Sequence, residues 1–473
     1  MEETILHRAV PVVWETDVLV VGGGLGGIAA ALASARTGAR TILLERNGYV
    51  GGVATAGLCC SVYNCLFTRD GKTAVEGIPM EIVRLLADGA GPGESFRRHK
   101  GHIIYDVEKA KRLLAECLRS AGVLLLTGMT SVDVWRDGEV LRGVVAAGRN
   151  GLQAIRAGAV VDATGDADVA RLANVPMERI TGNSSYVFRI GNVDLDAFVG
   201  YFRHNPEAYP EKMDIEWTLA DALAQYDDNG TFLFPHGGGI QLSIVEEGRR
   251  RGEFPERVGG HGTIDAMQMH GIRDLGVVHV ITGFVRVPGL DAEQTAQAVL
   301  DGREMAYAVT DFFRRRMPGF ERAFVAATAD DLGIRTSGHI AGDFVFTPAM
   351  QQTPSRFFDA IGVGVVEESR ALYAEAHAGA KNAWNAQILG RDVYEIPLRC
   401  LLPEKAENLI MGSGRSASVS GWALLRVMVT TMTVGQGAGT AAALAVKSGV
   451  TVRQVDIGTL RRELQRQGVR FPD

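Results

Sequence analysis

The apolar positions change rhythm along the chain. Asp17–Val21 is a short apolar run, the mark of a buried strand. A glycine cluster follows. Then comes Leu25–Thr37, dense in alanine and read as a helix, with Gly38 suited to its C-terminal end. Arg40–Leu44 is a second apolar run, so the opening is strand–helix–strand with the acid Glu45 at the tip. Asp106–Ala121 is periodic as a helix, ended by Gly122, and Val123–Thr127 reads as a strand. Three extended runs come next: Ser131–Trp135, Val140–Ala146 and Leu152–Arg156. Asp137-Gly138 and Asn150-Gly151 join them, and both dipeptides favour tight hairpins, so a β-meander is expected. It feeds a separate buried strand, Ala159–Ala163, which ends in Thr164-Gly165.

From about 176 to 395 the texture differs, with most of the histidines, aromatic residues and prolines. Asn205–Gly230 is polar and acidic and reads as a flap. Thr295–Arg315 reads as a long helix stopped by Met317-Pro318-Gly319. After Ile396 the first rhythm returns. "NLIMGSGRSAS" is strand then glycine-rich turn, and "VGQGAGTAAALAVKSG" is glycine-rich turn then helix. The expected organisation is a discontinuous first domain, residues 1–175 and 396–473, around an inserted domain of residues 176–395.

Composition narrows the class. The chain has 473 residues, 46% hydrophobic and 22% charged, ordinary values for a globular protein with a large core. Its 58 glycines follow no three-residue period, which excludes collagen and favours a turn-rich α/β enzyme. A net charge of -6 gives no electrostatic case for nucleic acid or an anionic membrane as partner. No apolar run reaches the length of a membrane span, and the stretch around Ala423–Val434 is broken by Arg426. The start, "MEETILHRAV", lacks the basic-then-apolar pattern of a signal peptide, so a cytoplasmic location is expected. Five cysteines in so long a chain do not make a disulfide framework.

The glycine cluster has a physical reading. Gly22, Gly24 and Gly27 stand as G-x-G-x-x-G between strand and helix. The first allows a tight turn, the second lets a pyrophosphate approach the backbone, and the third lets the helix pack on the strand. Free N–H groups at the helix start, with the helix dipole, favour phosphate charge. Glu45 follows Gly27 by 18 residues. Its carboxylate can accept hydrogen bonds from a ribose 2′-hydroxyl and repels a 2′-phosphate. Gly51-Gly52 adds bare backbone just past the acid, and "DATGD" and "GSGRS" put further glycine turns at two more strand ends. A long cofactor lying across the sheet can touch all three tips, which points away from a simple NAD enzyme.

On these residues the chain resembles the FAD-dependent oxidoreductases of the glutathione-reductase-like superfamily. The likeness runs through "VLVVGGGLGGIAAALA", "LLERNGYVGGVATAGL", "VVDATGDADVA", "VLDGREMAYAVTDFFRRRMPGFERAFV", "DLGIRTSGHIAG", "YEIPLRCLLPEKAENLIMGSGRSASVS" and "RVMVTTMTVGQGAGTAAALA". It is weakest over about Asn192–His279. The resemblance implies an α/β fold: a Rossmann-like FAD-binding domain of parallel sheet plus β-meander, with an inserted mixed α+β substrate domain. It implies that Gly22, Gly24 and Gly27 hold the pyrophosphate and Glu45 the adenosine ribose. Arg46, Gly51, Gly52 and Thr55 would lie along the adenosine-to-ribityl part. The strand around Thr130–Val132 would present backbone to the adenine. Thr164 and Gly165 would close over the cofactor. Gly414 and Arg415 would stand beside the ribityl and phosphates, with arginine neutralising phosphate charge. A helix start near Val434–Gly439, Gly437 included, would aim its N–H groups at the flavin C2 carbonyl.

The substrate side is less determined. "RTSGHI" places Gly338 and His339 where the family pattern often has two adjacent basic residues. His339 reads as an acid or base beside flavin N5, or as a histidine pairing a backbone carbonyl. Arg335 and Arg399 read as binders of a substrate carboxylate or as structural ion pairs. Cys59, Cys60 and Cys65 show no C-x-x-C, and although Cys60 and Cys65 stand at the C-x4-C spacing of related disulfide reductases, buried thiols are expected. "HGGG" at His236–Gly239 lacks an accompanying G-x-S-x-G, and "HKGH" at His99–His102 lacks a third metal ligand, so both read as loops. No metal is expected. No second G-x-G-x-x-G suggests a dedicated NAD(P)H domain.

The expected function is hydride movement between a small organic substrate and flavin N5. A nicotinamide-only dehydrogenase and a protein that holds FAD structurally are the alternatives. The sequence leaves open the substrate, the direction, the electron acceptor (oxygen, a quinone, NAD(P) or a protein) and any homo-oligomer.

Overall fold

Val12–Val21 (β1), Leu25–Arg36 (α1) and Thr41–Glu45 (β2) form the opening unit of the protein. The computed structural model describes residues 8–62, 66–68, 71–87, 101–180, 183–209, 217–234, 242–264, 267–286, 291–352, 355–365, 393–421 and 424–472. Every residue of Leu25–Ser34 is buried, so α1 needs no polar stripe and its alanines serve close packing on both sides. Val107–Ser120 (α2) starts on Asp106, whose side chain accepts from the Glu108 and Lys109 amides at 2.9 and 3.3 Å. Leu124–Thr127 (β3), Thr130–Asp137 (β4), Val140–Gly148 (β5) and Gly151–Asp162 (β6) follow.

The first sheet has the order β3-β2-β1-β6-β5-β4. β3, β2, β1 and β6 run parallel, and β4, β5 and β6 form the expected antiparallel meander. The fold is α/β. One expectation fails here: Leu152–Arg156 and Ala159–Ala163 are not two strands. β6 is continuous, because β1 pairs along it from Val12↔Ala154 to Val21↔Asp162 and holds Ala157 and Gly158 extended. β5 pairs with the first half of β6, from Gly151 to Arg156.

The second sheet is antiparallel. Asn183–Gly191 (β7), Thr231–Phe234 (β8), Met267–Ile272 (β9), Val277–Arg286 (β10) and Phe324–Thr328 (β11) take the order β8-β9-β10-β7-β11. The helix Ala292–Arg316 (α3) packs on it, close to the span expected. Phe188, Ile190, Met267, Met269, Val278 and Val280 belong to a core of their own with Phe198, Phe202, Phe312, Phe313 and Phe320. Alternation sends Val187 and Ile281 to the opposite face, and these belong to the first core. Within the stretch expected as a flap, Thr218 caps a helix over Leu219–Asn229, and Trp217 is fully buried.

Gly338–Ile340 (β12), Leu409–Met411 (β13) and Met428–Ser448 (α4) complete the frame. β13 pairs parallel with the end of β6, taking the edge that β5 leaves. α4 lies against α1 almost backbone to backbone: a Cβ on Gly435 would sit 2.0 Å from the Gly26 carbonyl oxygen, and one on Gly439 2.0 Å from that of Ala30. The second expectation to fail is the helix start at Val434–Gly439. The helix begins at Met428, so Gly437 is in mid-helix, where a Cβ would meet Ile361 at 2.5 Å. Those glycines answer helix packing rather than a turn. Ile361, Val363 and Val365 also join the first core. Among the described residues, no helix is long and apolar enough to cross a membrane.

Candidate functional site

The three glycines of the first turn differ in what surrounds them. Gly22 has φ +100°, and a Cβ there would lie 2.6 Å from the Ala163 carbonyl and 2.7 Å from the Thr164 nitrogen. A Cβ on Gly27 would fall 1.8 Å from the Gly22 oxygen. Around Gly24 nothing lies within 4 Å of the Cβ position. Gly24 is also the N-cap of α1, with no side-chain cap and no acid in the first turn. An uncapped helix start with open space beside its N-cap is a place where an anion is favoured.

Glu45 closes one side. It is 6% exposed, its Oε2 accepts from the Gly23 amide at 2.6 Å, and its Oε1 accepts from the Asn47 amide at 2.8 Å. A carboxylate has about four acceptor sites, so each oxygen retains one for a further donor such as a ribose hydroxyl. The Gly51 amide donates to the Gly23 carbonyl at 2.7 Å, and a Cβ on Gly52 would come within 2.9 Å of the Gly24 Cα. The second glycine pair thus lies directly against the first turn. Thr55 is fully buried and its hydroxyl donates to the Val50 carbonyl at 2.8 Å, fixing this loop from within. β4 starts beside Glu45, since Met129 donates to the Glu45 carbonyl at 3.1 Å, and Val132 is 40% exposed.

Three strand tips stand side by side. Val21, Asp162 and Met411 are in register across β1, β6 and β13. Ala163 donates to the Val21 carbonyl at 2.8 Å and Gly412 to the Asp162 carbonyl at 2.7 Å. A Cβ on Gly26 would meet the Gly412 oxygen at 2.4 Å, and one on Gly414 the Leu425 oxygen at 1.7 Å. All three glycine turns leave the same edge of one sheet. Asp162 braces the middle one: it is fully buried, accepts from the Thr164 amide and hydroxyl at 3.1 and 2.7 Å, and accepts from the Ala170 amide at 2.9 Å. Burial pushes its carboxyl up to about 6 against those hydrogen bonds.

The arginines are engaged. Arg46 pairs with Asp331, and Tyr49 donates to Asp330. Arg415 pairs with Asp166 at 3.0 Å and donates to the Ile334 carbonyl, and Ser337 donates to Asp166 at 2.5 Å. The guanidinium occupies the space beside Gly165, where a Cβ would approach it to 2.4 Å. The segment from Asp330 to Ser337 is therefore tied to the loop after β2 and to the tips of β6 and β13. Sequence reasoning passed over Asp162, Asp166, Asp330 and Asp331. The acids flanking "ATG" were the available signal for the first two.

His339 lies on β12, 2% exposed, with Nε2 3.3 Å from the Thr336 hydroxyl and Nδ1 without a partner. Burial holds its pKa below the usual histidine value, with the Val419 backbone and the Glu178 charge pulling the other way. Arg335 is half-buried on the same segment, and its charge reaches Cys59. Ile340 donates to the Ser416 carbonyl at 3.2 Å, so this segment runs beside the turn after β13. Arg399 is held elsewhere: Asp359, nearly fully buried, accepts from its Nε at 2.9 Å and its amide at 3.0 Å, and the guanidinium stacks on Phe344 and Phe358. Its side chain is committed to a structural pair. Cys59 and Cys60 are free thiols, and burial raises both. Cys65, His99 and His236–Gly239 lie outside the described residues, and His102 is buried with its ring edge-on to Trp217. Among the described residues no cluster of possible metal ligands occurs.

A family model described as FAD dependent oxidoreductase matches residues 17–464. Comparison with curated proteins finds no match. Among solved structures, a geranylgeranyl bacteriochlorophyll reductase-like protein of Thermoplasma acidophilum is 13% identical over 96% of this chain and 83% of that one, with a TM-score of 0.45. The p-nitrophenol 4-monooxygenase of Pseudomonas putida is 12% identical over 96% and 89%, with a TM-score of 0.41. A myxobacterial chondrochloren halogenase is 13% identical over 96% and 79%, with a TM-score of 0.40. Similarity at that level says nothing of activity.

Proposed function

Because the chain belongs to the FAD-dependent oxidoreductase family, we propose that it moves a hydride between a carbon of a small organic substrate and N5 of its FAD. The observation that carries this reading is the row of three glycine tips on one sheet edge, with open space at Gly24. We place the chain in the glutathione-reductase-like superfamily on the same grounds.

FAD supplies a two-electron carrier that the side chains lack. The remaining work belongs to the chain. The amides at the start of α1 take the pyrophosphate beside Gly22, Gly24 and Gly27. Glu45 holds the adenosine ribose, and the backbone at Thr130–Val132 borders the adenine. Gly51, Gly52 and Thr164 would border the cofactor, and the Arg46–Asp331 and Arg415–Asp166 pairs fasten the Asp330–Ser337 segment to the loop after β2 and the tip of β6. The helix-dipole role expected of Gly437 passes to the true start of α4, at Met428. His339 and Arg335 are the substrate-side groups of that segment, while Arg399 remains in its pair with Asp359. The protein acts in the cytoplasm on a small molecule, without nucleic acid or membrane, and passes electrons to oxygen, a quinone, NAD(P) or a protein.

Anaerobic bleaching of the bound flavin across a panel of metabolites tests the reading. A metabolite that bleaches the visible absorbance of the bound oxidised flavin, followed by recovery with an electron acceptor, is the expected result. A colourless protein that stays without FAD after refolding in its presence overturns it.

A further inference from the structure

The second sheet has one apolar face, buried in its own core, and one mixed face turned to the first core, where polar residues stand beside Val187 and Ile281. Arg189 on β7, His279 on β10 and His270 on β9 stand directly opposite one another in a single row across three strands. Gln268 is two residues along β9 on the same face. His279, His270 and Gln268 are at most 2% exposed. A buried polar row is unfavourable unless something pairs with it. The Gln268 amide nitrogen has no hydrogen-bond partner. Among the described residues, Arg189, its side chain 18% exposed, meets a carboxylate only at Glu108, at 3.7 Å, too long for a hydrogen bond. Glu108 is itself 56% exposed and shared with Lys111 at 3.1 Å.

His279 brings the row to the loop that follows Gly51 and Gly52. His279 Nδ1 lies 3.1 Å from the Leu58 carbonyl, which only accepts, so a neutral ring carries its proton on Nδ1 and presents a lone pair on Nε2. Burial and the Arg189 charge keep this ring neutral. Leu58 has φ +52°, unusual for leucine, and Tyr105 fixes the next carbonyl, donating to Cys59 at 2.7 Å. The loop geometry that brings Leu58 to His279 is thus held from two sides.

We propose that this row is the substrate-recognition site, and that it takes a small monocarboxylate bearing a hydroxyl or amine near the acid group. The inference rests on the flavin reading above and deepens it. Arg189 pairs with the carboxylate, closer than the 3.7 Å at which it meets Glu108. His279 Nε2 accepts from the hydroxyl or amine, and the Gln268 amide donates to an oxygen of the ligand. One guanidinium beside the neutral His279 ring fits a single negative charge better than a phosphate dianion.

The test is ligand-induced thermal stabilisation of the FAD-loaded protein with lactate, 3-hydroxybutyrate, mandelate and serine, each against its amide. The expected result is tighter binding of at least one acid than of its amide. Arg189→Gln should weaken that acid by about 30-fold and leave the amide unchanged, whereas Arg189→Lys, which keeps the charge, should lose less. Should Arg189→Gln not fold, the acid-against-amide comparison and Arg189→Lys still decide. No acid outbinding its amide, or undiminished acid binding by Arg189→Gln, overturns the site. Acid binding without any flavin bleaching sinks the hydride reading alone. Bleaching by neutral compounds with no acid preference sinks the site alone.

Discussion

At the residue scale, the three glycines of the first turn give opposite expectations for the same substitution. Gly24→Ala places its methyl in open space, so the fold should survive and FAD affinity should fall by about tenfold, roughly 1.4 kcal/mol. Gly27→Ala drives a methyl into the Gly22 carbonyl and should destabilise the protein by about 3 kcal/mol or more. Melting curves with and without FAD separate the two effects. Arg399→Ala is expected to act on stability. It strands the buried Asp359 carboxylate, at about 2–3 kcal/mol, the low end for such a pair because Arg399 keeps a third of its side chain in water. Urea unfolding of the variant measures this; unchanged stability would place Arg399 outside the framework. The glycine spacing and Glu45 were legible because their chemistry is local. The acids that clasp the arginines were not, since their partners lie far along the chain: Arg46 and Asp331, Asp166 and Arg415, Asp359 and Arg399.

At the scale of elements, periodicity and turn residues located α2, α3 and the meander to within a few positions. They failed where tertiary contact overrides local signal. Arg156 and Gly158 look like a break, yet β1 keeps β6 extended past them. "VGQGAG" looks like a turn, yet it is the bare face by which α4 meets α1. A single change tests that packing: Gly439→Val should push the helices apart and lower stability by about 3 kcal/mol, with the visible spectrum of any folded fraction unaltered. A variant as stable as the parent would show that the two helices do not depend on that close approach. The polar row of the second sheet was illegible for a related reason. Its members come from β7, β9 and β10, and only strand register brings them together.

At the scale of the whole molecule, two buried groups set opposing pH dependences. His279 is held at about 3, so the unfolded chain binds the extra proton below pH 6.5, and stability is lost as pH falls from there. Asp162, raised to about 6, works the other way: its ionised form is disfavoured in the fold, and stability falls as pH rises from about 4 towards 6. Between about pH 4 and 6 the two offset each other. His279→Gln removes one and keeps a donor for the Leu58 carbonyl. The stability gap between parent and variant should shrink by about 2 kcal/mol from pH 7.5 to 5.0 in urea titrations. A constant gap would mean that the ring is protonated in the folded protein.

The grip of three strand tips on one extended cofactor is tested most directly by flavin titration of the cofactor-free protein. Fluorescence quenching should show one FAD bound per chain, with FMN and riboflavin weaker by about a hundredfold or more, because they lack the pyrophosphate-linked adenosine that the α1 amides and Glu45 receive. FMN binding as tightly as FAD would contradict the account.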